Sequence, residues 1–552
     1  MEKVWLRNYP AGIPPDLPEF PYRSLADLVG EACRNHPRRT AYISMGRQLS
    51  YAELDRLSRD FAAWLQGLGV KKGDRVAVML PNVLQYPVCM FGALRAGAVI
   101  VNCNPLYTAE EIEHQLKDSG ATVIVVLENF AHTVEAAAAR TDLRHIVVTS
   151  LGELLGPVRG RLTDFVVRHV KRMVPPWRIE GSSTLCRALK TGSGTGFSPP
   201  ALERDDLAFL QYTGGTTGVA KGAMLSHGNL LANVVQAYTW ISPLLHTENE
   251  LVVTAIPLYH VFALTANCLT FVRAGAANLL IANPRDIPGF IKELGRHRFT
   301  ALTGVNTLFN ALLHNPDFAR LDFTHLHLTL GGGMAVQQAV ADRWQSVTGK
   351  PLSQAYGLTE TSPAVTINPL DKPYSSSIGL PIPSTGISIR NDSGQELALG
   401  EVGELCVRGP QVMKGYWQRP DETAKVMMAD GFLRTGDLGY VDEHGYVYLV
   451  DRKKDMILVS GFKVYPNEVE EILAAHPGVL EAAVLGVPDE RSGEVVKAFV
   501  VRRDPMLTAE SVIAHCRQHL AAYKVPKHVE FRDTLPKTNV GKILRRALKE
   551  GN

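Results

Sequence analysis

The feature that most constrains the fold of this chain is an alternation. Segments with apolar residues at helical spacing take turns with short, continuous apolar runs. Tyr51–Leu68 carries Leu54, Leu57, Phe61, Leu65 and Leu68 at that spacing, and the apolar run Arg75–Leu80 follows. Thr108 and Glu111 form a capping box that predicts the start of the next helix, and Thr122–Leu127 then reads as a buried strand. Strands that are apolar on both faces and separated by helices belong to parallel sheets covered by helices. The alternation resumes at Leu207 and runs to about residue 350, after a stretch, Leu151–Arg204, broken by Gly, Pro and Ser clusters. From about Ser375 the pattern changes to short strands and turns at Glu404–Arg408, Gly445–Val450 and Ile457–Ser460. A small α+β pattern follows Asp451. Its helix, predicted over Pro466–Ala475, starts on a proline and holds Glu468, Glu470 and Glu471 near its positive end. A domain boundary is expected near Asp451–Asp455, and 552 residues leave room for three to four folding units.

Composition removes several classes of function. With 58 Lys and Arg against 55 Asp and Glu, the net charge of +3 lacks the basic excess of a nucleic-acid-binding domain. The most apolar stretches, Val88–Val101 and Val261–Val272, are shorter than the roughly 20 residues of a membrane-spanning helix. The N-terminus has no hydrophobic signal core. The seven cysteines form no CxxC pair and read as reduced core residues, so a soluble cytoplasmic protein is expected.

The first chemical motif lies where the strand Leu207–Tyr212 runs into Thr213, Gly214, Gly215, Thr216, Thr217, Gly218 and, after Val219 and Ala220, Lys221, with a helix expected from about Ser226. Glycines let backbone N–H groups approach a phosphate, hydroxyls donate further hydrogen bonds, and lysine neutralises charge. The spacing is neither that of a Walker A loop nor GxGxxG.

This segment, YTGGTTGVAKG, resembles the phosphate-binding loop of the adenylate-forming superfamily, and its flanks are most similar to bacterial long-chain fatty acyl-CoA synthetases. Further motifs follow in family order, and the resemblance runs from about Val4 to Leu548. Gly331, Gly332 and Gly333 follow a strand, and Tyr356-Gly357-Leu358-Thr359-Glu360 lies about 25 residues later. Glycines permit close approach of a flat ring and an aromatic can stack on it. The resemblance implies that these segments bind adenine, that Thr359 contacts phosphate and that Glu360 helps hold Mg2+, which prefers carboxylate and phosphate oxygens together. Asp437, read as following a short strand, fits the vicinal hydroxyls of ribose, and the resemblance adds Arg452 to that site. It also implies a hinge at Lys454 and an approach of the Gly461 loop to the pantetheine arm of CoA. Lys463 stays unassigned. Lys542, in PKTNVGK, matches the lysine that bridges carboxylate and α-phosphate oxygens and is the expected main catalytic residue of adenylation. His260, after the strand Leu251–Ile256, is expected to position substrate, with 261–272 and 299–313 lining an acyl tunnel.

The resemblance thus implies a large N-terminal domain (1–451) of two α/β subdomains and a small β-rich one, a hinge at 452–456, and a small mobile α+β C-terminal domain (457–552). The implied reaction is ATP-dependent activation of a long-chain fatty acid to acyl-CoA through an acyl-adenylate, with Mg2+ as cofactor and ATP and CoA as co-substrates. Medium-chain or aryl acids are alternative substrates. A non-catalytic fatty-acid-binding protein would be expected to lack Lys542, Glu360 or the glycine loop, and all are present. Relatives are often dimeric, which makes a homodimer an expectation.

One segment stands apart. Arg159–Arg178 holds six basic residues and one acidic, Asp164. Leu162, Phe165, Val166, Val170 and Met173 fall near one face at helical spacing, with Arg161, Arg168, Lys171 and Arg172 elsewhere around it. A basic amphipathic helix of this kind lies in the headgroup plane of an anionic bilayer or packs on its own protein. The first alternative would place the protein peripherally at the inner face of the membrane.

Overall fold

In a computed structural model of the chain, the described residues are 2–213, 220–245, 249–489, 491–538 and 541–550. The alternating segments build two large sheets. The first has seven strands in the order Ser183–Thr184, His145–Thr149, Val123–Leu127, Arg75–Met79, Val99–Asn102, Leu207–Thr213 and Lys221–Ser226. All neighbours are parallel except the last pair. The second has nine strands, and its centre, Ala277–Leu280, Leu251–Thr254, Ala301–Gly304, Leu328–Gly331 and Ser353–Gly357, is parallel throughout. Central strands such as Val123–Leu127 are buried at every position, as their unbroken apolar runs require. The largest apolar core joins helices and strands of both sheets.

The texture change near residue 375 is a change of architecture. Gly386–Arg390, Gly403–Arg408, Leu433–Val441 and Val447–Arg452 form an antiparallel four-stranded sheet. After Arg452 the chain enters a separate five-stranded sheet, beginning with the hairpin Ile457–Val459 and Phe462–Val464, with its own apolar core. The predicted helices appear at Tyr51–Gly67, Ala109–Ser119 and Pro466–Ala475, the second with the capping box of Thr108 and Glu111 in place. Among the described residues, no helix is long and apolar enough to cross a membrane. All seven cysteines are free, and six are buried, while Cys186 is exposed.

Three expectations are corrected. The helix expected from about Ser226 is present as His227–Ile241 with Ser226 as its N-cap, but the glycine-rich loop reaches it through an unexpected strand, Lys221–Ser226, paired antiparallel with Leu207–Thr213. The buried positions of Lys221–Ser226 make it a sheet edge rather than a helix entry. Asp437 lies inside the nine-residue strand Leu433–Val441, next to a register shift, not after a short strand. The stretch 299–313 gives its apolar residues Leu302, Phe309, Leu312 and Leu313 to a closed core, and only the polar Thr303, Asn306, Thr307 and Asn310 reach the cavity described below.

Candidate active site

In open α/β sheets, ligands bind outside the carboxyl ends of the strands. The central strands of the second sheet are parallel, so their ends share one edge: His260 lies beyond Thr254, Thr307 beyond Gly304, Gly332 and Gly333 beyond Gly331, and Tyr356 at the end of its strand. They face a cavity of about 2290 Å³, which the four-stranded sheet and the C-terminal domain close from the other side.

One wall is made by paired strands. Asp437 and Arg452 are register partners in the hairpin Leu433–Val441/Val447–Arg452, and Arg452 Nε lies 3.3 Å from Asp437 Oδ1. The other oxygen, Oδ2, accepts a 2.6 Å hydrogen bond from Tyr356 Oη. Asp437 is only 5% exposed, and burial together with this carboxylate pushes the Tyr356 phenol well above its usual range. An aromatic face, a buried carboxylate and a guanidinium are thus fixed relative to one another.

Glu360 lies across the cavity, and its Oε1 accepts a 2.7 Å hydrogen bond from Tyr416 Oη. Among the described residues, no cluster of three or more His, Cys, Asp and Glu could hold a metal by itself. A single carboxylate fits Mg2+, which commonly takes one or two protein carboxylates and completes its shell with substrate phosphate and water. Lys221 forms an ion pair with Glu422, and its ammonium lies 5.2 Å from the Tyr416 ring centroid.

Lys542 reaches the same cavity from the C-terminal domain. Its turn is closed by Thr538 Oγ1 accepting from the Lys542 N–H at 3.1 Å, and it is docked by Thr307 Oγ1 donating to the Gly541 carbonyl at 2.9 Å. Gly333, at φ +78°, makes room for it: a Cβ there would fall 3.1 Å from Lys542 Cε. Burial first, and Arg452 second, lower the Lys542 ammonium to about 8, against the pull of Asp437 and Glu360. Burial and then Lys542 lower the His260 imidazole to about 3, so it is neutral at any working pH. His260 Nδ1 accepts from the Phe262 N–H at 3.3 Å, which leaves the ring proton on Nε2.

Deeper in, the cavity wall is largely apolar. Phe262, Ala266 and Phe271 come from the expected segment 261–272, which is a π-helix over Ala263–Leu269 continued as α-helix. Ala237 and Ile241 come from the helix His227–Ile241, which the sequence reading did not assign to the tunnel.

The structure therefore brings Thr213, Lys221, His260, Gly332, Gly333, Tyr356, Gly357, Thr359, Glu360, Asp437, Arg452, Lys454 and Lys542 to one cavity. Gly331 is buried at the strand end beneath it. Gly461 does not line it but sits in the turn of the exposed hairpin, at φ +85°. Gly214, Gly215, Thr216, Thr217 and Gly218 lie outside the described residues.

Sequence reading missed Tyr416 and Glu422. They belong to Met413–Val426, which leaves the four-stranded sheet and pairs with the hairpin of the first sheet: Met224 N–H donates to the Gly415 carbonyl at 2.9 Å and Trp417 N–H to that of Gly222 at 2.8 Å. Gly415, at φ +133°, carries the sharp bend, and a Cβ there would meet Thr423 at 2.8 Å. The only signal was local, a glycine before two aromatics and a Pro-started helical turn in GYWQRPDET.

Residues 29–417 match the family described as AMP-binding enzyme, and residues 468–542 match the AMP-binding enzyme C-terminal domain. The chain is 56% identical, over all of its length and 98% of the relative's, to a long-chain-fatty-acid–CoA ligase of Escherichia coli O157:H7. It is 39% identical over the same shares to the ligase of that name from Bacillus subtilis. The crystal structure of the anthranilate CoA ligase AuaEII with anthranoyl-AMP superposes with a TM-score of 0.86 at 25% identity, over 96% of this chain and 98% of that one. With two family domains matched in order along a chain built from a large N-terminal and a small C-terminal part, this protein belongs to the AMP-binding, adenylate-forming enzyme family.

Proposed function

We propose that the protein is a long-chain-fatty-acid–CoA ligase that forms an acyl-adenylate from ATP, releases pyrophosphate, and transfers the acyl group to CoA with release of AMP. The observation that carries this reading is the convergence of Lys542, the Tyr356–Asp437–Arg452 group and Glu360 on one cavity that the apolar Ala237, Ile241 and Phe271 also line. The names of the full-length relatives agree with it.

A carboxylate is a poor acyl donor because its charge resists attack and its oxygen leaves badly. Its attack on the α-phosphorus spreads negative charge over phosphoryl oxygens, and fixed cations facing them lower the barrier. Tyr356 stacks the adenine and Asp437 accepts from the ribose hydroxyls. Lys542 neutralises the carboxylate and α-phosphate, and Lys221 takes the outer phosphates. Mg2+, held by Glu360 and phosphate oxygens, supplies further neutralisation when bound. Neutral His260 orients the carboxylate and draws no proton.

Thiol attack needs the face that Lys542 occupies. We assign 1–451 to the N-terminal domain, 452–456 to the hinge about Lys454, and 457–552 to the mobile domain, whose rotation carries Lys542 out and Gly461 toward CoA. The four-stranded sheet ends at Arg452 and the last sheet begins at Ile457, which supports these bounds.

The test is pyrophosphate release across a chain-length series, with and without CoA. Highest kcat/KM for long saturated acids and CoA-dependent turnover are expected. A preference for aryl or short acids would overturn the substrate assignment, and release without CoA turnover would reduce the reaction to adenylation.

A second reading concerns where the acid is collected, and it rests on an inverted helix. Pro157–Phe165 and the π-turn Val166–Val170 bury only Gly160 and Val167, with Asp164 turned toward the protein. A Cβ on Gly160 would lie 2.3 Å from the Gly152 carbonyl, Asp164 accepts from Ser150 and from the Gly152 N–H, and Arg168 grips Glu128, which is 4% exposed, with two nitrogens. Val158, Leu162, Phe165, Val170 and Met173 point outward and are 57% to 82% exposed, flanked by exposed Arg161, Lys171 and Arg172. An apolar ridge rimmed by cations fits an anionic bilayer surface. Its anchors Glu128 and Ser150 directly follow parallel strands of the first sheet, the same edge at which Thr213 opens the glycine-rich loop. Leu162→Ser with Phe165→Ser should cut co-sedimentation with anionic vesicles severalfold and leave turnover of a water-soluble short acid unchanged. Undiminished vesicle binding would end this reading. Arg168 is a structural anchor, so Arg168→Gln should instead lower folding stability, by about 1–2 kcal/mol after discount for its 46% exposure.

A further inference from the structure

The phosphate lysine is already occupied. Lys221 and Glu422 form an ion pair in which each side chain is about a third exposed (31% and 28%), and both line the cavity. Glu422 also pairs with Lys425. Lys221 first and Lys425 next hold its carboxyl down to about 2, so it is ionised at any working pH. A fixed carboxylate on a lysine that must receive a polyanion is costly for the ligand, since the incoming phosphates meet the repulsion of Glu422 and find Lys221 neutralised.

The surroundings keep both groups in place. Glu422 stands on the turn that starts at Pro420, and this turn is tied to the phosphate hairpin by the pairing of 413–417 described above. Asp118, 7% exposed, clamps the same segment from beneath: it accepts from Arg419 Nη2 at 2.6 Å and from Tyr212 Oη at 2.7 Å, while its carbonyl accepts from Trp417 Nε1 at 3.0 Å. Tyr416 stands between the two charged groups of the site, its ring beside the Lys221 ammonium and its hydroxyl on Glu360. Of these groups, the lysine head on its four-carbon stem is the most readily moved.

We propose that Glu422 is a positioning residue that holds Lys221 when no phosphate is bound, yields it to ATP, and recaptures it as pyrophosphate leaves. This rests on the reading of Lys221 as a phosphate ligand. Because only the fraction of molecules with Lys221 released binds phosphate fully, the apparent affinities for ATP and for pyrophosphate are lowered by the same factor. Glu422 thereby trades ATP affinity for product release.

Calorimetric titration of the full chain with Mg·ATP and with Mg·pyrophosphate tests this, using Glu422→Gln, Lys221→Ala and the double variant. Gln keeps the shape of Glu422 and a hydrogen bond to Lys221 while removing the charge. Glu422→Gln should tighten both ligands about threefold to tenfold and strengthen product inhibition by pyrophosphate, with KM for the fatty acid unchanged. Lys221→Ala should weaken both ligands, and the double variant should bind like Lys221→Ala alone. Unchanged or weaker binding by Glu422→Gln, while Lys221→Ala weakens binding, overturns the proposal and leaves the reading of Lys221 intact. Equal tightening by Glu422→Gln in the Lys221→Ala background also overturns it, because a general field effect then replaces partner exchange. Unchanged binding by Lys221→Ala overturns the reading of Lys221 itself, and this proposal with it.

Discussion

Two lysines meet in one cavity in opposite electrostatic states. Lys221 stands on a strand of the N-terminal part, paired in register with Thr213, and is ion-paired with Glu422. Lys542 stands on a turn of the C-terminal part, has no ion-pair partner among the described residues, and is desolvated enough to bring its ammonium down to about 8. The first can wait without harm because its charge is balanced. The second is a buried cation whose turn is tied to the N-terminal part by Thr307 Oγ1 donating to the Gly541 carbonyl. On the mechanism proposed above, Lys542 serves one half-reaction and then leaves, which a lysine outside any ion pair does more readily than one locked in it. On the same proposal, Lys221 holds and releases phosphates, and Glu422 is its resident counter-ion.

The largest effect should come from removing the unpaired lysine. Lys542→Ala should lower acyl-adenylate formation by about 10²–10³-fold, while thioester formation from supplied acyl-adenylate persists. Equal loss in both half-reactions would erase the distinction between the two lysines. Next is pH. The free enzyme should lose adenylation kcat/KM as pH rises through about 8, where Lys542 loses its proton. The fall should approach about tenfold per pH unit beyond it. The limb should move to higher pH at saturating ATP, whose phosphates favour the ammonium. His260, near 3, should contribute no inflection near neutrality. A limb that remains in Lys542→Ala would belong to another group.

Gly333→Ala should act more mildly and on the same half-reaction. A Cβ 3.1 Å from Lys542 Cε, on a backbone at φ +78°, hinders the docked lysine and should slow adenylation severalfold, by about 1–2 kcal/mol. Supplied acyl-adenylate should be consumed at the normal rate, and a loss shared by both steps would point to the sheet edge rather than to Lys542. Smallest is Tyr416→Phe, which deletes the hydroxyl on Glu360 and keeps the ring beside Lys221. It should raise the Mg2+ concentration for half-maximal adenylation by about threefold to tenfold and leave kcat at saturating metal near normal.

Much of this was legible in the linear text because the constraints are local. The helix Ala109–Ser119 was announced by its capping box, and the parallel strand Val123–Leu127 by an unbroken apolar run. Tyr356, Glu360, Asp437 and Lys542 were found by resemblance, and the cavity gathers all four. What escaped depended on contacts between distant segments. The strand Lys221–Ser226 was read as an approach to a helix because six residues carry little periodicity, whereas its partner Leu207–Thr213 makes it a strand. Phe309 and Leu312 were assigned to a tunnel because apolarity alone does not distinguish a cavity wall from a closed core. Glu422 is one acidic residue in a charged turn that the sequence reading passed over, and only the return of 413–417 to the first sheet sets it on Lys221.

The ridge at Val158–Met173 shows where the division lies. Its amphipathic spacing and its excess of positive charge were written in the sequence. Periodicity fixes which side chains share a face but not which way the face looks, because the same spacing serves a helix packed inward or outward. The close approach of Gly160 to Gly152 and the hold of Arg168 on buried Glu128 turned Gly160, Asp164 and Val167 to the protein and left Phe165 and its neighbours to the outside. Likewise the sequence by itself singled out Lys221, Lys542, Glu360 and Asp437. Which lysine is paired and which is desolvated was decided by tertiary structure, because charge pairing and burial depend on distances that chain order does not set.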